Sequence, residues 1–300
     1  MIALAENEKL RQVEDAIKKA GRTPSSQKNL TKEFELKAKP TILKLGGSAI
    51  SHKDKPLAAN QFIIENLARE IAKANVQQLV VVHGGGSFGH PIAKQYAINE
   101  GFKDASQIIG FSKTHDAMAV LNGLVVQALI QHNISALGIA PSSFILTKSS
   151  RIEKMDNSIV AELLRTGFVP VLYGDAVLDL DRGFTILSGD QLVAKLAINL
   201  DAERIILGVD VDGLFTADPK RDSSARFIPY ITLKKLKMMQ NWIEKAKVTD
   251  VTGGMYGKII ELIPAIEHGV QTAIVNATKK DTVRKALCNE KVVGTIIEKE

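Results

Sequence analysis

The sequence predicts an α/β protein built on an open, mostly parallel, twisted sheet that is sandwiched by helices. Short apolar, β-branched runs recur along the chain, and longer segments with helical periodicity separate them. This alternation is typical of parallel sheets that are covered by helices on both faces. The 300 residues, of which 45% are hydrophobic, suffice for one large domain or two closely joined lobes.

The predicted elements begin shortly after Lys39-Pro40 and continue to the end of the chain. The strands are Thr41–Leu45, Leu79–Val82, Val169–Tyr173, Arg204–Gly208, Thr272–Val275 and Val292–Ile297. Helical patterns cover residues 60–74, 113–132, 157–166, 190–200 and 255–268. Pro170 is compatible with the opening of a strand, and Pro264 could kink a helix. Ligands of such sheets bind beyond the carboxyl ends of the strands, so the loops there are the places to look for chemistry.

Residues 1–38 differ from the rest, and we predict that they form an N-terminal appendage, either helical or disordered. A short amphipathic helix could place Leu10, Val13 and Ile17 on one face. The predicted main domain covers residues 39–300.

Composition narrows the class of ligand. The net charge is +6, but the basic residues are scattered and aromatic residues are few, which favours a small anionic substrate over nucleic acid. The single cysteine, Cys288, excludes an internal disulfide and a thiol-rich metal site. No apolar run reaches the length of a membrane span, and the first residues become acidic too early for a signal peptide. We therefore expect a cytoplasmic protein with no membrane partner.

The most informative segment is His83-Gly84-Gly85-Gly86-Ser87-Phe88-Gly89-His90, which follows a predicted strand. Glycines let a backbone approach a ligand closely with free N–H groups, so we expect the loop to bind an anion, most simply a phosphate. His90 stands at its edge. The segment also fits the dinucleotide fingerprint, the hydrolase nucleophile elbow around Ser87 and an esterase oxyanion loop.

A second glycine loop follows the first strand and reads Lys44-Leu45-Gly46-Gly47-Ser48. A lysine inside an apolar strand is costly to bury unless its charge meets an anion. Gly46, Gly47 and Ser48 then offer backbone and hydroxyl donors to that anion. Lys53 lies a few residues later, where a solvated surface lysine is the simpler interpretation.

Further loops carry residues suited to phosphate or nucleotide. They contain Gly174 after a strand; Asp190 in Ser188-Gly189-Asp190; Asp210, Phe215 and the Asp218-Pro219 turn; and Gly253-Gly254 with Lys258 one turn into a helix. Asp190 is expected either to cap its helix or to orient lysines. Asp210 and Phe215 could border a base and ribose, while Gly254 and Lys258 could hold phosphate.

Together these loops decide among the patterns. An esterase needs its oxyanion loop and its nucleophile elbow on separate strands, whereas here they overlap. A dinucleotide site explains one loop and leaves Lys44, Lys53 and Lys258 without a role. A Walker P-loop fails because Gly257-Lys258 is followed by Ile259.

From about Thr41 to Ile297 the chain resembles the amino acid kinase superfamily, and within it the isopentenyl phosphate kinases. The motifs that carry the resemblance are Lys44 to Ser48; Gly84 to His90; Thr114-His115-x-x-Met118 followed by Leu121-Asn122; Asp210-Val211-Asp212-Gly213; and Val251-Thr252-Gly253-Gly254-Met255. Relatives that phosphorylate carboxylates share the glycines but generally lack the histidine at His90. Fosfomycin kinase shares it.

The resemblance implies roles for individual residues. The implied catalytic residues are Lys44, Lys53, His90, Asp190 and Lys258. The implied ATP-binding residues are Lys44, Gly46, Gly47, Ser48, Gly86, Asp210, Phe215, Gly254 and Lys258; the implied substrate-binding residues are Gly85, His90 and Gly174. An acceptor-binding lobe would cover about residues 39–180 and an ATP-binding lobe about 181–300. Ile108 to Phe111, Met118 and Leu121 could line an apolar slot, whereas His115 has no assigned role.

The implied reaction is ATP-dependent phosphorylation of isopentenyl phosphate to isopentenyl diphosphate, with Mg²⁺ carried by ATP and few direct protein ligands. A homodimer in isoprene biosynthesis by a mevalonate pathway is also implied. The alternatives are a kinase for another phosphate or phosphonate such as fosfomycin, or for a carboxylate; a nucleotide-binding regulator without catalysis; and a hydrolase that uses Ser87.

Overall fold

A computed structural model describes residues 38–52, 54–238 and 254–300, all within one compact unit, Leu36–Glu300. The strands are β1 Thr41–Leu45, β2 Leu79–His83, β3 Ala136–Gly138, β4 Ile145–Lys148, β5 Arg151–Met155, β6 Val169–Tyr173, β7 Asp175–Asp179, β8 Gly183–Leu187, β9 Arg204–Val209, β10 Leu214–Phe215, β11 Phe227–Ile228, β12 Tyr230–Thr232, β13 Gln271–Asn276 and β14 Gly294–Glu298. The helices are α1 Gly47–Ile50, α2 Gln61–Ala74, α3 Gly86–Gln95, α4 Ser106–Gln131, α5 Ser158–Thr166, α6 Gly189–Asn199, α7 Met255–Glu267 and α8 Thr282–Leu287, with 3₁₀ turns at Ile98–Glu100 and Pro141–Ser143. Apart from Ala38, the predicted appendage lies outside the described residues.

The main sheet has eight strands in the order β12-β14-β13-β9-β1-β2-β6-β3. The strands from β13 to β3 are parallel, whereas β14 runs antiparallel to β13. The strands β4, β5, β7 and β8 form a separate sheet, and β10 pairs with β11. The predicted open, mostly parallel α/β sheet is therefore confirmed.

Both faces of the sheet are buried, and alternate residues of each central strand enter different cores. Ile42 of β1 belongs to one hydrophobic cluster, and Leu43 belongs to the other. Lys44 occupies the next position on the Ile42 side, where α6 and α7 supply much of the packing. The strand periodicity thus directs Lys44 towards these two helices.

The sequence prediction missed α3 and placed the start of α4 too late. Helix α3 begins inside the glycine-rich segment and contains Pro91, two features that argue against a helix from sequence alone. Proline at this position removes the hydrogen bond to the carbonyl of Ser87, but Leu57 N–H donates to that carbonyl at 3.1 Å. The contact is non-local, so helical periodicity could not reveal it.

The two glycine loops meet backbone to backbone. A Cβ on Gly47 would lie 2.2 Å from Gly86 N. Gly86 adopts φ +49°, and a Cβ there would lie 2.0 Å from Ser51 Oγ and 2.5 Å from Gly47 O. Only residues without a side chain allow this approach, which brings the loops after β1 and β2 together.

No helix within the described ranges is long and apolar enough to cross a membrane.

We expect Gly86→Ala to destabilise the protein by at least about 2 kcal/mol, because it combines a positive φ with a clash against backbone. Gly123→Ala is the matched control. Gly123 lies in α4, and no atom comes within 4 Å of the place that a Cβ would occupy, so this change should stabilise by about 0.5–1 kcal/mol. Urea unfolding of both variants measures the difference. Equal stabilities would contradict the close approach of the loops.

Candidate active site

The predicted chemistry-bearing loops follow neighbouring parallel strands and therefore share one edge of the main sheet. We call this the carboxyl edge, defined as the residues that directly follow β1, β2, β6 and β9. It contains the glycine loops at Gly46 and Gly84, together with Gly174 and Asp210. These loops are far apart in the sequence. They come together because the parallel strands before them end side by side.

A buried aspartate links two lysines below this edge. Asp190 Oδ1 lies 2.8 Å from Lys44 Nζ, and Asp190 Oδ2 lies 3.3 Å from Lys258 Nζ. Lys44 is only 2% exposed, whereas Lys258 is half-buried and reaches solvent. The Lys44 contact is an ion pair whose alignment falls outside hydrogen-bond geometry. Strand β1 and helices α6 and α7 each contribute one member of this cluster.

The three charges shift one another's protonation equilibria. Burial lowers the pKa of Lys44, and the Asp190 carboxylate opposes that effect while Lys258 reinforces it. Burial of Asp190 by itself favours the neutral acid and raises its pKa. The charges of Lys44 and Lys258 outweigh this effect and hold the pKa of Asp190 below the ordinary value. With one carboxylate between two lysines, the cluster carries a net positive charge next to the carboxyl edge.

Asp190 does not cap helix α6, so that alternative is wrong. Ser188 is the N-cap, and its side chain accepts from Gln191 N–H at 3.1 Å. Asp190 lies in the first turn, where the positive end of the helix dipole also favours a carboxylate. The aspartate is therefore free to contact the lysines.

The glycine loops use part of their backbone donors internally. Gly46 N–H donates to Gly208 O at 2.7 Å, and Gly174 N–H donates to His83 O at 3.0 Å. These two glycines consequently offer close approach rather than a free donor in this structure. Gly47, Gly85 and Gly86 belong to the two glycine loops that follow β1 and β2 at the carboxyl edge.

Two histidines flank the second glycine loop in different environments. His83 is fully buried, stacks on Tyr173, and has Nε2 3.2 Å from Asn122 Nδ2. Burial lowers its pKa to about 4, so His83 is a neutral structural residue that accepts from Asn122.

His90 lies within α3 rather than at a loop edge, and its surface is exposed. Partial desolvation, followed by the charges of Lys258 and Lys44, lowers the pKa of His90. His90 therefore lies within electrostatic reach of both lysines.

The loop after β9 supplies the opposite side of the site. Ser48 Oγ donates to Asp210 Oδ1 at 3.2 Å, and Lys220 Nζ lies 2.6 Å from Asp210 Oδ2. Phe215 packs against Phe227 with ring centroids 5.4 Å apart. Lys220 follows the Asp218-Pro219 turn, and sequence reasoning missed it because a lysine after a polar turn is usually solvated.

The remaining predicted site residues are Gly254, Lys53, Gly253 and Ser87. Gly254 adopts φ +83° at the N-cap of α7, one turn before Lys258. Lys53 and Gly253 lie outside the described residues. Ser87 is buried, and its Oγ donates to Ala58 O at 3.3 Å. No hydrogen bond joins it to a histidine in the described part of the chain, which removes the support for a serine hydrolase.

This arrangement can bind and neutralise polyanions. Lysines, a histidine and glycine backbone converge, and the Asp190 carboxylate pairs with two of the lysines. Within residues 38–52, 54–238 and 254–300, no three His, Cys, Asp or Glu side chains cluster as a metal cage. Such a donor set is suited to phosphate groups.

Comparison with known proteins gives consistent matches over the main domain. The model of the amino acid kinase family matches residues 39–276. The chain is 41% identical to the isopentenyl phosphate kinase of Methanothermobacter thermautotrophicus over 85% of this chain and 98% of that protein. It is 35% identical to that of Methanocaldococcus jannaschii, over 86% and 98%. It is also similar to X-ray structures of isopentenyl phosphate kinase, with 38% identity, a TM-score of 0.76, and coverage of 86% and 99%.

We expect Asp190→Asn to lower turnover and to move its alkaline limit to lower pH. Without the carboxylate, burial and Lys258 lower the pKa of Lys44 further, so this lysine loses its proton sooner as pH rises. The pH profile of kcat measures the effect. Asp201→Asn is the control, because Asp201 forms an exposed ion pair with Lys39 away from the cluster. An unchanged alkaline limit in Asp190→Asn would contradict the coupling.

Proposed function

The chain belongs to the amino acid kinase family, and we propose that it transfers the γ-phosphoryl group of ATP to isopentenyl phosphate, giving ADP and isopentenyl diphosphate. The observation that carries this proposal is the Lys44–Asp190–Lys258 cluster beneath two touching glycine loops, with His90 in its field. These two relatives, each covered over 98% of its length by this chain, are named isopentenyl phosphate kinases, which supports the same acceptor.

The chemistry requires positioning and charge neutralisation rather than a base. The attacking atom is a phosphate oxygen that is already ionised at neutral pH, so no proton must be removed. Two phosphate groups must approach for in-line transfer, and their repulsion has to be offset. A lysine about 4 Å from a phosphate charge contributes roughly 4 kcal/mol at an effective dielectric near 20, before desolvation.

The residues divide between donor and acceptor. Lys44 would lie between the two phosphates, with Asp190 holding it and Lys258 in place. Lys258 would bind the ATP phosphates, together with Gly47, Ser48, Gly86 and Gly254. Asp210 and Phe215 would border the nucleotide, and Gly46 would leave room for it. Lys53 would stabilise the transition state.

The acceptor phosphate would bind between Gly85, His90 and Gly174. The lowered pKa of His90 keeps its ring neutral at pH 7 in the free protein, so one ring N–H can donate to a phosphate oxygen. Of the residues expected to line an apolar slot, Ile108 and Ile109 are exposed, and Met118 and Leu121 are packed in the core. A small apolar cluster next to Phe111 would instead border the prenyl tail. It contains Ala93, Ile98, Ala176 and Phe184, with Phe111 packed against it. Phe111 and Phe184 have centroids 5.6 Å apart. This apolar cluster favours a prenyl phosphate over fosfomycin, a small polar phosphonate.

The proposal also includes Mg²⁺, a division of the chain into two lobes, and a homodimer. Bound Mg²⁺ would neutralise charge on the ATP phosphates, and a site rich in lysines and glycine backbone suits an ion that the nucleotide carries. We propose residues 39–180 as the acceptor-binding lobe and 181–300 as the ATP-binding lobe, since His90 and Gly174 fall in the first and Lys258 in the second. A cytoplasmic homodimer in isoprene biosynthesis completes the proposal.

We expect strong ADP release with Mg-ATP and isopentenyl phosphate, weaker release with dimethylallyl phosphate, and none above background with acetylglutamate, aspartate or UMP. A coupled ADP assay with this panel and fosfomycin tests the substrate. Turnover only on a carboxylate or on UMP would refute the acceptor but leave the lysine roles intact. Turnover only on fosfomycin would assign His90 to a phosphonate.

We expect His90→Ala to raise the KM for the acceptor by roughly tenfold or more and to leave the KM for ATP within about twofold, because it removes one donor to a charged phosphate. Steady-state kinetics with each substrate varied in turn measure the two constants. His268→Ala, an exposed histidine at the end of α7, serves as the control. A change confined to the KM for ATP would reverse the assignment of the loop.

A further inference from the structure

A histidine–aspartate pair joins three elements beside the proposed acceptor site. His115 of α4 places Nδ1 at 3.0 Å from Asp175 Oδ1 and 3.1 Å from Asp175 Oδ2. Asp175 opens β7, directly after Gly174. Ser142, in the 3₁₀ turn Pro141–Ser143, donates its N–H to Asp175 Oδ2 at 3.3 Å, and its Oγ lies 3.4 Å from His115 Nδ1. Neither His115 nor Asp175 has a part in the proposed chemistry.

Asp175 is held from several sides in a place that water does not reach. Its residue is 1% exposed, and Oδ1 also accepts Ala176 N–H at 2.8 Å. Burial raises the pKa of Asp175, whereas the His115 ring counteracts that shift. An ionised carboxylate in such a position would be unfavourable without a charged or strongly donating partner. His115 is that partner, and it is the only ring nitrogen on Asp175 within the described residues.

The geometry is unlike that of a serine hydrolase. Both Ser142 and Asp175 face Nδ1 of His115, whereas a nucleophile and an orienting carboxylate would have to use different ring nitrogens. The pair is therefore an anchor rather than a nucleophile–base system.

What the pair anchors is the backbone around Gly174. A Cβ on Gly174 would lie 3.0 Å from Gly189 N and 3.1 Å from Leu187 O, so this glycine is wedged against the start of α6. Its N–H donates to His83 O. A shift of the Asp175 carboxylate would be transmitted to Gly174 through one peptide bond.

The face of α4 that carries His115 also contacts the glycine loop after β2. Met118 lies one turn after His115, and its Sδ would be 3.0 Å from a Cβ on Gly85 and 2.8 Å from one on Gly89. Asn122, one further turn along, donates to Val171 O of β6 at 3.3 Å. One helix face thus contacts the glycine loop on one side and β6 with Asp175 on the other.

We propose that His115 is a positioning residue for the acceptor: through its hydrogen bond to Asp175 it fixes the backbone of Gly174 relative to the glycine loop. The proposal rests on the proposed function for its kinetic consequence, because Gly174 is assigned there to the acceptor phosphate. It assigns His115 no contact with the substrate.

The kinetic test compares His115→Leu with His115→Asn. Leucine removes the donor to Asp175, so the KM for isopentenyl phosphate should rise roughly tenfold to a hundredfold while the KM for ATP stays within about twofold. Asparagine can place an amide N–H near the position of Nδ1 and should restore most of the acceptor affinity. His132→Leu is the matched control, since His132 ends the same helix and pairs with Glu65 at 2.6 Å, outside the site. Equal increases in both KM values, or no rescue by asparagine, would overturn the proposal.

A second measurement does not depend on turnover. The sequence contains only two Tyr-Gly pairs, Tyr173-Gly174 and Tyr256-Gly257. Labelling the full chain with carbonyl-¹³C tyrosine and ¹⁵N glycine therefore selects the amides of Gly174 and Gly257, and Tyr256→Phe removes the second. The Gly174 signal should move in His115→Leu and stay in His115→Asn and His132→Leu, with Gly257 as the internal reference. An unmoved Gly174 signal in His115→Leu would overturn the proposal. Absence of wild-type turnover on isopentenyl phosphate would instead refute the proposed function, and the amide signal would still decide the role of His115.

Discussion

The buried ion pair between Lys44 and Asp190 is the interaction on which the arrangement of the site depends. Lys44 stands on a central strand whose neighbours are fully buried, so its ammonium group cannot be solvated by water. A charge in such a place requires an opposite charge, and α6 brings Asp190 to 2.8 Å from it. The same carboxylate reaches Lys258 of α7, which ties the covering helices to the sheet at the carboxyl edge.

This pair also explains why the site suits polyanions. One carboxylate cannot neutralise two lysines, and the remaining positive charge lies beneath loops that present glycine backbone. A phosphate group would complete the local charge balance. Partial desolvation lowers the pKa of His90, and the charges of Lys258 and Lys44 lower it further, since each cation disfavours another cation nearby.

Helix α4 fixes the position of neighbouring strands through polar side-chain contacts. Two of its polar residues contact strand residues: buried Asn122 lies against His83 of β2, and half-buried His115 pairs with Asp175 of β7. Such contacts contribute modest stability but strong geometric selection, because a buried polar group is costly in any other arrangement. The carboxyl edge thus has the lysine–aspartate cluster on the α6 and α7 side of the main sheet and the polar contacts of α4 on the other side.

Local patterns in the sequence predicted six strands of the main sheet, β1, β2, β6, β9, β13 and β14, but missed β3, β12, the β10–β11 pair and the whole four-stranded sheet. The runs at Thr41–Leu45 and Val169–Tyr173 coincide with β1 and β6, because strands buried on both faces read as continuous apolar segments. The glycine clusters and a lysine within a strand indicated phosphate by residue type alone. Helix α3 escaped prediction, because glycines and Pro91 disfavour a helix locally, whereas Leu57 supplies the missing hydrogen bond from elsewhere in the chain.

Only the tertiary structure decided that Asp190 pairs with lysines rather than capping its helix, and that His115 meets Asp175. Those contacts join residues 60 to 146 positions apart, and their geometry follows from the order of strands in the sheet, which no local pattern encodes.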